Sequence, residues 1–143
     1  TEVLEITGAD LSEKFPTSEV IAEGMVVAID AENEGKLCLA RGAYNRAVAG
    51  VVSGANNFAV GAILGNRDES AGGPPIALAG RVYVWVDADA APVKAGDLLT
   101  TSDTPGHAMK VQDYAAAQGA ILGKAMTSLN SGKGLVLVLV NLQ

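Results

Sequence analysis

Two carboxylates stand close together near the start of the chain, in the stretch TGADLSEKFP. Asp10 and Glu13 are three residues apart and follow the small pair Gly8-Ala9. Two neighbouring carboxylates can divide acid and base roles, because repulsion keeps one protonated while the other stays ionised. The same spacing also predicts a capping box with Asp10 as N-cap, in a helix that Pro16 would limit to about one turn. We favour the structural alternative.

The only histidine, His107, lies in the stretch TSDTPGHAMK close to Ser102 and Asp103. These residue types form hydrolytic triads, but triads are assembled across a fold and not within one turn. Pro105 and Gly106 have the backbone preferences of a tight turn. We therefore expect His107 to be structural.

The remaining candidate motifs for metals and cofactors are weak. Cys38 is the only cysteine, so the chain forms no internal disulfide, and one cysteine with one histidine cannot make a structural zinc site. The acidic stretches DAENEG (30–35) and DADAA (87–91) lack the ligand spacing of a calcium-binding EF-hand loop. Lys133 in SGKG is followed by Gly134 and then by a strand pattern, which predicts a hairpin turn and not a phosphate loop. We expect no metal and no cofactor, with calcium at the acidic stretches as the weaker alternative.

The composition limits the class of protein. The chain has 143 residues, 49% of them hydrophobic but only 4% aromatic, which fits one domain with an aliphatic core. A net charge of −6 without a basic cluster argues against nucleic acid and anionic membranes as partners. The longest aliphatic run, LVLVLV, is far shorter than the ~18 residues of a membrane-spanning helix. Because the chain opens on Thr1, we expect a piece of a longer polypeptide.

Short apolar runs of period two, separated by glycine, proline, asparagine and aspartate, predict an all-β protein, a small barrel or sandwich. One short helical piece is predicted over 112–118. We expect one domain over 1–143, with an N-terminal strand and the Gly-Ala-Asp-x-x-Glu segment over 1–16 and a β-rich body over 17–143. The predicted strands cover 2–6, 25–30, 36–40, 47–53, 60–64, 75–79, 81–87, 97–101, 108–111, 119–127 and 134–141.

Two strands, RVYVWVD at 81–87 and LVLVLV at 135–140, are apolar on both faces. Such strands are buried on both sides, by a second layer or by another subunit. In so short a chain, this predicts that one of them lies in an oligomer interface.

A faint repeat links two parts of the chain. Residues 24–50 and 96–119 each show a glycine, a strand, a glycine-containing turn, a second strand and then a small-residue strand. Duplication into a pseudo-symmetric barrel and convergent turn composition both explain this pattern.

The segments GADLSEKF, EGMVVAID and VAGVVSG resemble the autoprocessing C-terminal domain of phage tail-appendage and pre-neck-appendage proteins. That group is classed with glutamic peptidases and acts as an intramolecular chaperone for trimeric fibres. Its signature of Gly-Ala-Asp or Gly-Ser-Asp, two residues and Glu matches Gly8, Ala9, Asp10 and Glu13. The block at 76–126 is similar to domains at the C-termini of bacterial surface and phage-like proteins.

The resemblance implies a homotrimeric C-terminal assembly module that caps a longer fibrous, phage-appendage-like or surface protein, on a virion or a cell surface. The alternative that it implies is a self-cleaving chaperone, at most a single-turnover autoprotease, that cuts its own Ala9–Asp10 bond. Glu13 would then act as general base or acid, and Asp10 would polarise the scissile carbonyl or assist attack on it. We do not expect turnover of external substrates.

Overall fold

The computed structural model describes residues 10–57, 62–63 and 72–143. The described residues are nearly all-β, with one short 3-10 helix at Ala55–Asn57, which confirms the predicted fold class. No helix in these ranges is long and apolar enough to cross a membrane. The strands are β1 (Asp10–Lys14), β2 (Val26–Ile29), β3 (Leu37–Leu39), β4 (Val48–Val52), β5 (Ala62–Ile63), β6 (Pro75–Asp87), β7 (Leu98–Thr101), β8 (Ala108–Lys110), β9 (Ile121–Ala125) and β10 (Lys133–Asn141).

Five strands close into a barrel in the order β6-β10-β9-β7-β8 and back to β6. The neighbours are antiparallel except β6 and β8, which run parallel. Alternate residues of β6 and β10 point inward, because successive side chains of a strand leave opposite faces. The barrel interior is accordingly filled by valines and leucines, among them Val82, Val84, Val86, Leu99, Leu122, Val136 and Val138.

The other strands extend the sheet from the N-terminal half of the long strand β6. Strand β4 pairs with β6 at Val51 and Val52, and β2 and β3 follow beyond it. A second, smaller apolar cluster forms here around Val27, Leu37 and Ile76. Strand β6 therefore joins the barrel to an outer sheet.

The first described strand, β1, lies between β5 and β6. It pairs parallel with β5 and antiparallel with β6, where Asp10 lies opposite Gly80. The predicted capping box is wrong, because Asp10–Lys14 is a strand and not a helical turn. Pairing on both sides of the segment outweighs its local capping signal, which could gain at most one helical turn.

Most predicted strands in the described ranges are present. Two predictions differ from the structure: the division of 75–87 into two strands and the helix over 112–118. The separate strands predicted at 75–79 and 81–87 are one strand of 13 residues, which passes through Gly80 at φ 91°. A glycine tolerates this angle, so the strand continues to pair through this position. The helix predicted over 112–118 is absent: the segment forms a turn with a single helical bond, from the Ala117 amide to the Asp113 carbonyl. The predicted strand over 2–6 lies outside the described residues, as do residues 60, 61 and 64 of the strand predicted over 60–64.

The repeated glycine pattern has a counterpart in strand pairing. In the first half β2 pairs with both β3 and β4, and in the second half β7 pairs with both β8 and β9, all antiparallel. Each unit has a register shift at the same place in its first strand, after Val27 and after Leu99. The two halves are thus built on one three-stranded plan.

A glycine in the third strand of each unit lets that strand approach a long neighbouring strand. Gly50 pairs with Val27, and Gly123 pairs with Leu99 at the equivalent position. A β-carbon on Gly50 would meet the Ala77 carbonyl of β6, and one on Gly123 would meet the Leu139 carbonyl of β10. Both units therefore have a glycine at the equivalent position of their third strand, where any side chain would collide with the neighbouring strand.

Candidate functional site

The carboxylate of Asp10 is buried at the start of β1, with 4% of the residue exposed. Its Oδ2 accepts a hydrogen bond from the Ser12 hydroxyl at 3.1 Å and another from the Ser53 hydroxyl. Both serines are buried as well. A buried charge or polar group is tolerated only where hydrogen bonds replace those to water, and these hydroxyls supply that replacement.

Strand geometry places Ser12 beside Asp10. The two residues are two positions apart in a regular strand, so their side chains leave the same face. The register between β1 and β6 shifts by one residue, and the extra residue belongs to β6. Leu11 lies opposite Ala79, and Ser12 lies opposite Ala77. The alternation along β1 is thus kept.

Ser53 is brought to Asp10 by the chain segment that follows β4. Its amide donates to the Pro75 carbonyl at 3.0 Å, and the amide of Val52 donates to the Met25 carbonyl at 3.0 Å. The side-chain bond to Asp10 therefore links residues 43 apart and ties the start of β1 to the end of β4. No local sequence pattern indicates such a contact.

Asp10 and Glu13 are not brought together within β1. Residues three apart in a strand point to opposite faces, and Glu13 lies opposite Ile76 and is half-buried. Ala9, on the other side of the predicted cleavage bond, lies outside the described residues. The catalytic assignment of Asp10 and Glu13 stays a prediction.

A different carboxylate, that of Glu23, lies near the Asp10 cluster. A β-carbon on Gly54 would collide with the Glu23 carboxylate, so Glu23 lies directly against the backbone next to Ser53. Two carboxylates therefore lie at the Ser53-Gly54 pair: Asp10 accepts the hydrogen bond of Ser53, and Glu23 lies against Gly54. The sequence gives no signal for Glu23, because it is distant from Asp10 along the chain and no spacing motif connects the two residues.

The Ser102 and His107 side chains do not form a catalytic pair. The Ser102 hydroxyl lies 2.7 Å from the His107 carbonyl oxygen, a backbone atom. The His107 ring donates from Nδ1 to the Pro105 carbonyl at 2.9 Å and packs against Trp85, with 5.8 Å between ring centroids. Asp103 accepts instead from the Ala43 amide. These contacts support the structural role expected for His107.

In each acidic stretch the first aspartate accepts hydrogen bonds from side chains of the protein. In the first, the Asp30 carboxylate accepts from the Ser18 hydroxyl at 2.6 Å and from the Asn33 side chain at 3.0 Å, and these bonds lower the pKa of Asp30. In the second, the hydroxyl of Thr104 donates to Asp87 at 2.6 Å, which lowers the pKa of Asp87. Within the described part of the chain, no group of three or more metal-ligating side chains is present.

Cys38 lies half-buried on β3, where it alternates with Leu37 and Leu39. Burial, and then the nearby Asp30 and Glu19 carboxylates, raise the pKa of its thiol. A protonated thiol is a poor nucleophile and a poor metal ligand. Cys38 therefore has the properties of a packing residue.

The chemistry open to the Asp10 cluster is limited and specific. A carboxylate in hydrogen-bond contact with a serine hydroxyl can take the proton of that hydroxyl, as a general base does. The same contacts also stabilise the fold by joining β1 to the segment after β4. The geometry thus combines a structural link with one possible proton acceptor.

No family model and no curated protein matches this sequence. A solved structure does match: the crystal structure of the pre-mature bacteriophage phi29 gene product 12. The match has a TM-score of 0.62 at 18% identity and covers 99% of this chain. This chain spans 23% of the length of the phage protein. The two proteins share a fold.

Proposed function

We propose that this chain is a C-terminal assembly module that forms a trimer and caps a longer fibrous, phage-appendage-like or surface protein. The observation that carries the proposal is the shared fold over 99% of the chain with one part of a phage protein. A domain of this kind acts on a virion or a cell surface, through contacts between copies and not by turnover of a substrate.

The surface of the chain supports association between copies. Large apolar side chains are exposed on the described part of the molecule, including Val20, Ile29 and Leu139. The two strands predicted to be apolar on both faces, now part of β6 and β10, also fit this proposal, with one face in the barrel and the other partly exposed. The inner faces of β6 and β10 fill the barrel, and their outer faces carry Tyr83, Trp85 and further leucines that are half-buried.

The test is the mass of the protein in solution. Sedimentation equilibrium and light scattering over a wide concentration range should give the mass of three chains. A mass of one chain at every concentration would overturn the proposal. When the chain is fused to an upstream segment of the parent protein, the particle should still contain three chains.

The second candidate function is self-cleavage at Ala9–Asp10. It is favoured by the buried Asp10 with its Ser12 and Ser53 partners at that point of the chain. The solved relative in fold is described as pre-mature, which names a form that precedes a mature one. In this function the module would help the parent protein to assemble and then be released.

The experiment is a time course of the parent protein, read by gel, mass spectrometry and N-terminal sequencing. Self-cleavage predicts a new N-terminus at Asp10 in the wild type and none in the Glu13→Gln variant, which keeps the shape of the side chain. A wild type that stays uncut, or a Glu13→Gln variant that is cut at the same rate, would exclude this role of Glu13.

A further inference from the structure

The two three-stranded units share a pattern of backbone hydrogen bonds around their strands. The first unit is β2, β3 and β4, and the second is β7, β8 and β9. The Gly24 amide donates to the Val52 carbonyl at 2.8 Å, and the Gly96 amide donates to the Ala125 carbonyl at 2.7 Å. Further bonds match in the same way and give each of these residues a counterpart in the other unit. The matched residues include Met25 with Asp97, Val26 with Leu98, Ala40 with Val111 and Lys36 with His107.

The correspondence extends to the turn between the first two strands of each unit. The Lys36 amide and the His107 amide each donate to the carbonyl three residues earlier, both at 3.1 Å. The residue before each of these amides is a glycine with positive φ, 86° at Gly35 and 72° at Gly106. Gly35 is therefore the counterpart of Gly106.

In the first unit, the backbone of Gly106 lies in a slot between Val26 and Ala40. Two opposed residues of an antiparallel pair can exchange two hydrogen bonds, and the Ala40 amide makes one of them, to the Val26 carbonyl at 2.9 Å. In place of the second, the Val26 amide donates to the Gly106 carbonyl and the Gly106 amide donates to the Ala40 carbonyl, both at 2.8 Å. Because Gly106 belongs to the second unit, this slot joins the two units.

The second unit has an equivalent slot between Leu98 and Val111. The Val111 amide donates to the Leu98 carbonyl at 2.8 Å, and within the described residues no bond returns from the Leu98 amide to the Val111 carbonyl. The amide and carbonyl of one strand residue point to the same side, so the Leu98 amide faces Val111 and not β9. This slot therefore offers the same donor and acceptor that bind Gly106 in the first unit.

A slot of this kind takes a glycine. In the first unit, a β-carbon on Gly106 would lie 2.6 Å from the Met25 Sδ and 2.7 Å from the Leu39 Cδ1, so a residue with a side chain does not fit. The turn of the first unit presents a matching glycine, because Gly35 is exposed and no atom lies within 4 Å of its β-carbon position.

The sides of the second slot carry Asp97 and Lys110, the counterparts of Met25 and Leu39. Their ion pair, 3.6 Å from Lys110 Nζ to Asp97 Oδ2, joins the two sides, and the neighbouring Val111 is 3% exposed. An ion pair with both side chains partly exposed is weakly held, so it can part without loss of the fold. An incoming turn therefore has to displace only this pair.

We propose that the Gly35 turn of one copy enters the Leu98–Val111 slot of the next copy, as Gly106 enters the Val26–Ala40 slot within one chain. The Leu98 amide would donate to the Gly35 carbonyl, and the Gly35 amide would donate to the Val111 carbonyl. The turn and the slot are different surfaces, so the contact is head-to-tail, and three such contacts close a ring. The inference rests on the proposed assembly function and specifies its interface.

Charge does not select the partner in this contact. The Gly35 turn presents the exposed Glu32, Glu34 and Lys36, and the slot carries one charge of each sign. The selection comes instead from the glycine and from the two backbone bonds, for which the chain itself contains the precedent at Gly106.

The Gly35→Asn variant of the full 143-residue chain tests the contact. Asparagine tolerates positive φ, so the turn should be kept, but its side chain should not enter the slot. The variant should sediment with the mass of one chain, and circular dichroism and thermal melting verify that it is folded. Gly42→Asn is the matched control, because Gly42 also has positive φ and open space at its β-carbon position but lies outside this turn. It should stay a trimer.

Hydrogen exchange of one amide reports on the slot itself. The Leu98 amide should be protected in the wild-type trimer and should exchange at least about ten times faster in Gly35→Asn, whereas the Val26 amide should be protected in both. A Gly35→Asn protein with the mass of three chains, or a Leu98 amide that exchanges equally fast in both proteins, would overturn the contact and leave the assembly function standing. A wild type with the mass of one chain would overturn the assembly function and this contact with it.

Discussion

The Asp10 carboxylate is the shared acceptor for hydroxyls from two parts of the chain. Ser12 reaches it from the same strand and Ser53 from the segment after β4. All three residues are buried, so water cannot replace a lost partner. The cost of changing Asp10 therefore includes the two donors that it leaves behind, and a helix cap has no part in it.

Replacement of Asp10 by alanine should lower the free energy of unfolding by about 1–3 kcal/mol, because a buried donor without an acceptor costs that much. The measurement is urea unfolding followed by circular dichroism. Glu13→Gln in the same strand is the control and should change the free energy of unfolding by less than about 0.5 kcal/mol. Equal effects of the two substitutions would show that the Asp10 contacts contribute nothing specific.

Acid should destabilise the protein partly through Asp30. Hydrogen bonds from Ser18, Asn33 and the Glu32 amide favour the ionised form and lower the pKa of Asp30 in the folded state below its ordinary value of 3.8. The unfolded chain then binds the proton more readily, so this stabilisation is present above pH ~4 and is lost as the pH falls through the lower folded pKa.

Asp30→Asn should accordingly show a smaller loss of stability between pH 7 and pH 3 than the wild type. Urea midpoints at a series of pH values measure this difference. Glu34→Gln is a suitable control, since Glu34 is exposed in the same turn and its carboxylate has no hydrogen bond or ion pair with the described residues. An acid dependence that is identical in Asp30→Asn and the wild type would contradict the assignment.

At the scale of elements, the sequence predicted most strands and, of the site residues, Asp10 but not its serine partners. Period-two alternation marks strands such as β6 and β10 because one face of each is buried in the barrel. It failed for β1, whose buried positions are the polar Asp10 and Ser12, so the segment shows no apolar alternation. Ser53 was missed for a related reason, because a hydrogen bond across 43 residues leaves no local pattern.

The close approach of β9 to β10 gives a prediction for one glycine. In Gly123→Ala the new methyl group would meet the Leu139 carbonyl and lie 2.9 Å from the Val140 Cα, both backbone atoms that cannot rotate away. We expect a loss of about 1–3 kcal/mol or more in the free energy of unfolding, measured by urea unfolding.

A second glycine provides the comparison. In Gly134→Ala the nearest atom is a terminal methyl carbon of Leu129 at 3.3 Å, which can move. That substitution should change the free energy of unfolding by less than about 1 kcal/mol. Similar losses for both variants would show that the backbone approach at Gly123 is not the limiting contact.

At the scale of the whole molecule, the barrel interior and the outer surface of the protein use different sides of the same strands. Val138 is fully buried inside the barrel, whereas Leu139 next to it points outward. Val138→Asp should therefore prevent folding, because an unpaired charge in an apolar interior costs several kcal/mol. Leu139→Asp, on the exposed side of the same strand, should leave the circular dichroism spectrum unchanged. A folded Val138→Asp protein would contradict the barrel.

The barrel is not closed equally firmly around its circumference. Strand β6 meets β10 through nine residue pairs but meets β8 through one, Val86 with Ala108. Amide hydrogens at the β6–β8 junction should therefore exchange with deuterium sooner than those between β6 and β10, through local opening below the global unfolding energy. Trp85, the only tryptophan, packs on His107 beside this junction, so its fluorescence should respond to the opening while the rest of the barrel remains closed.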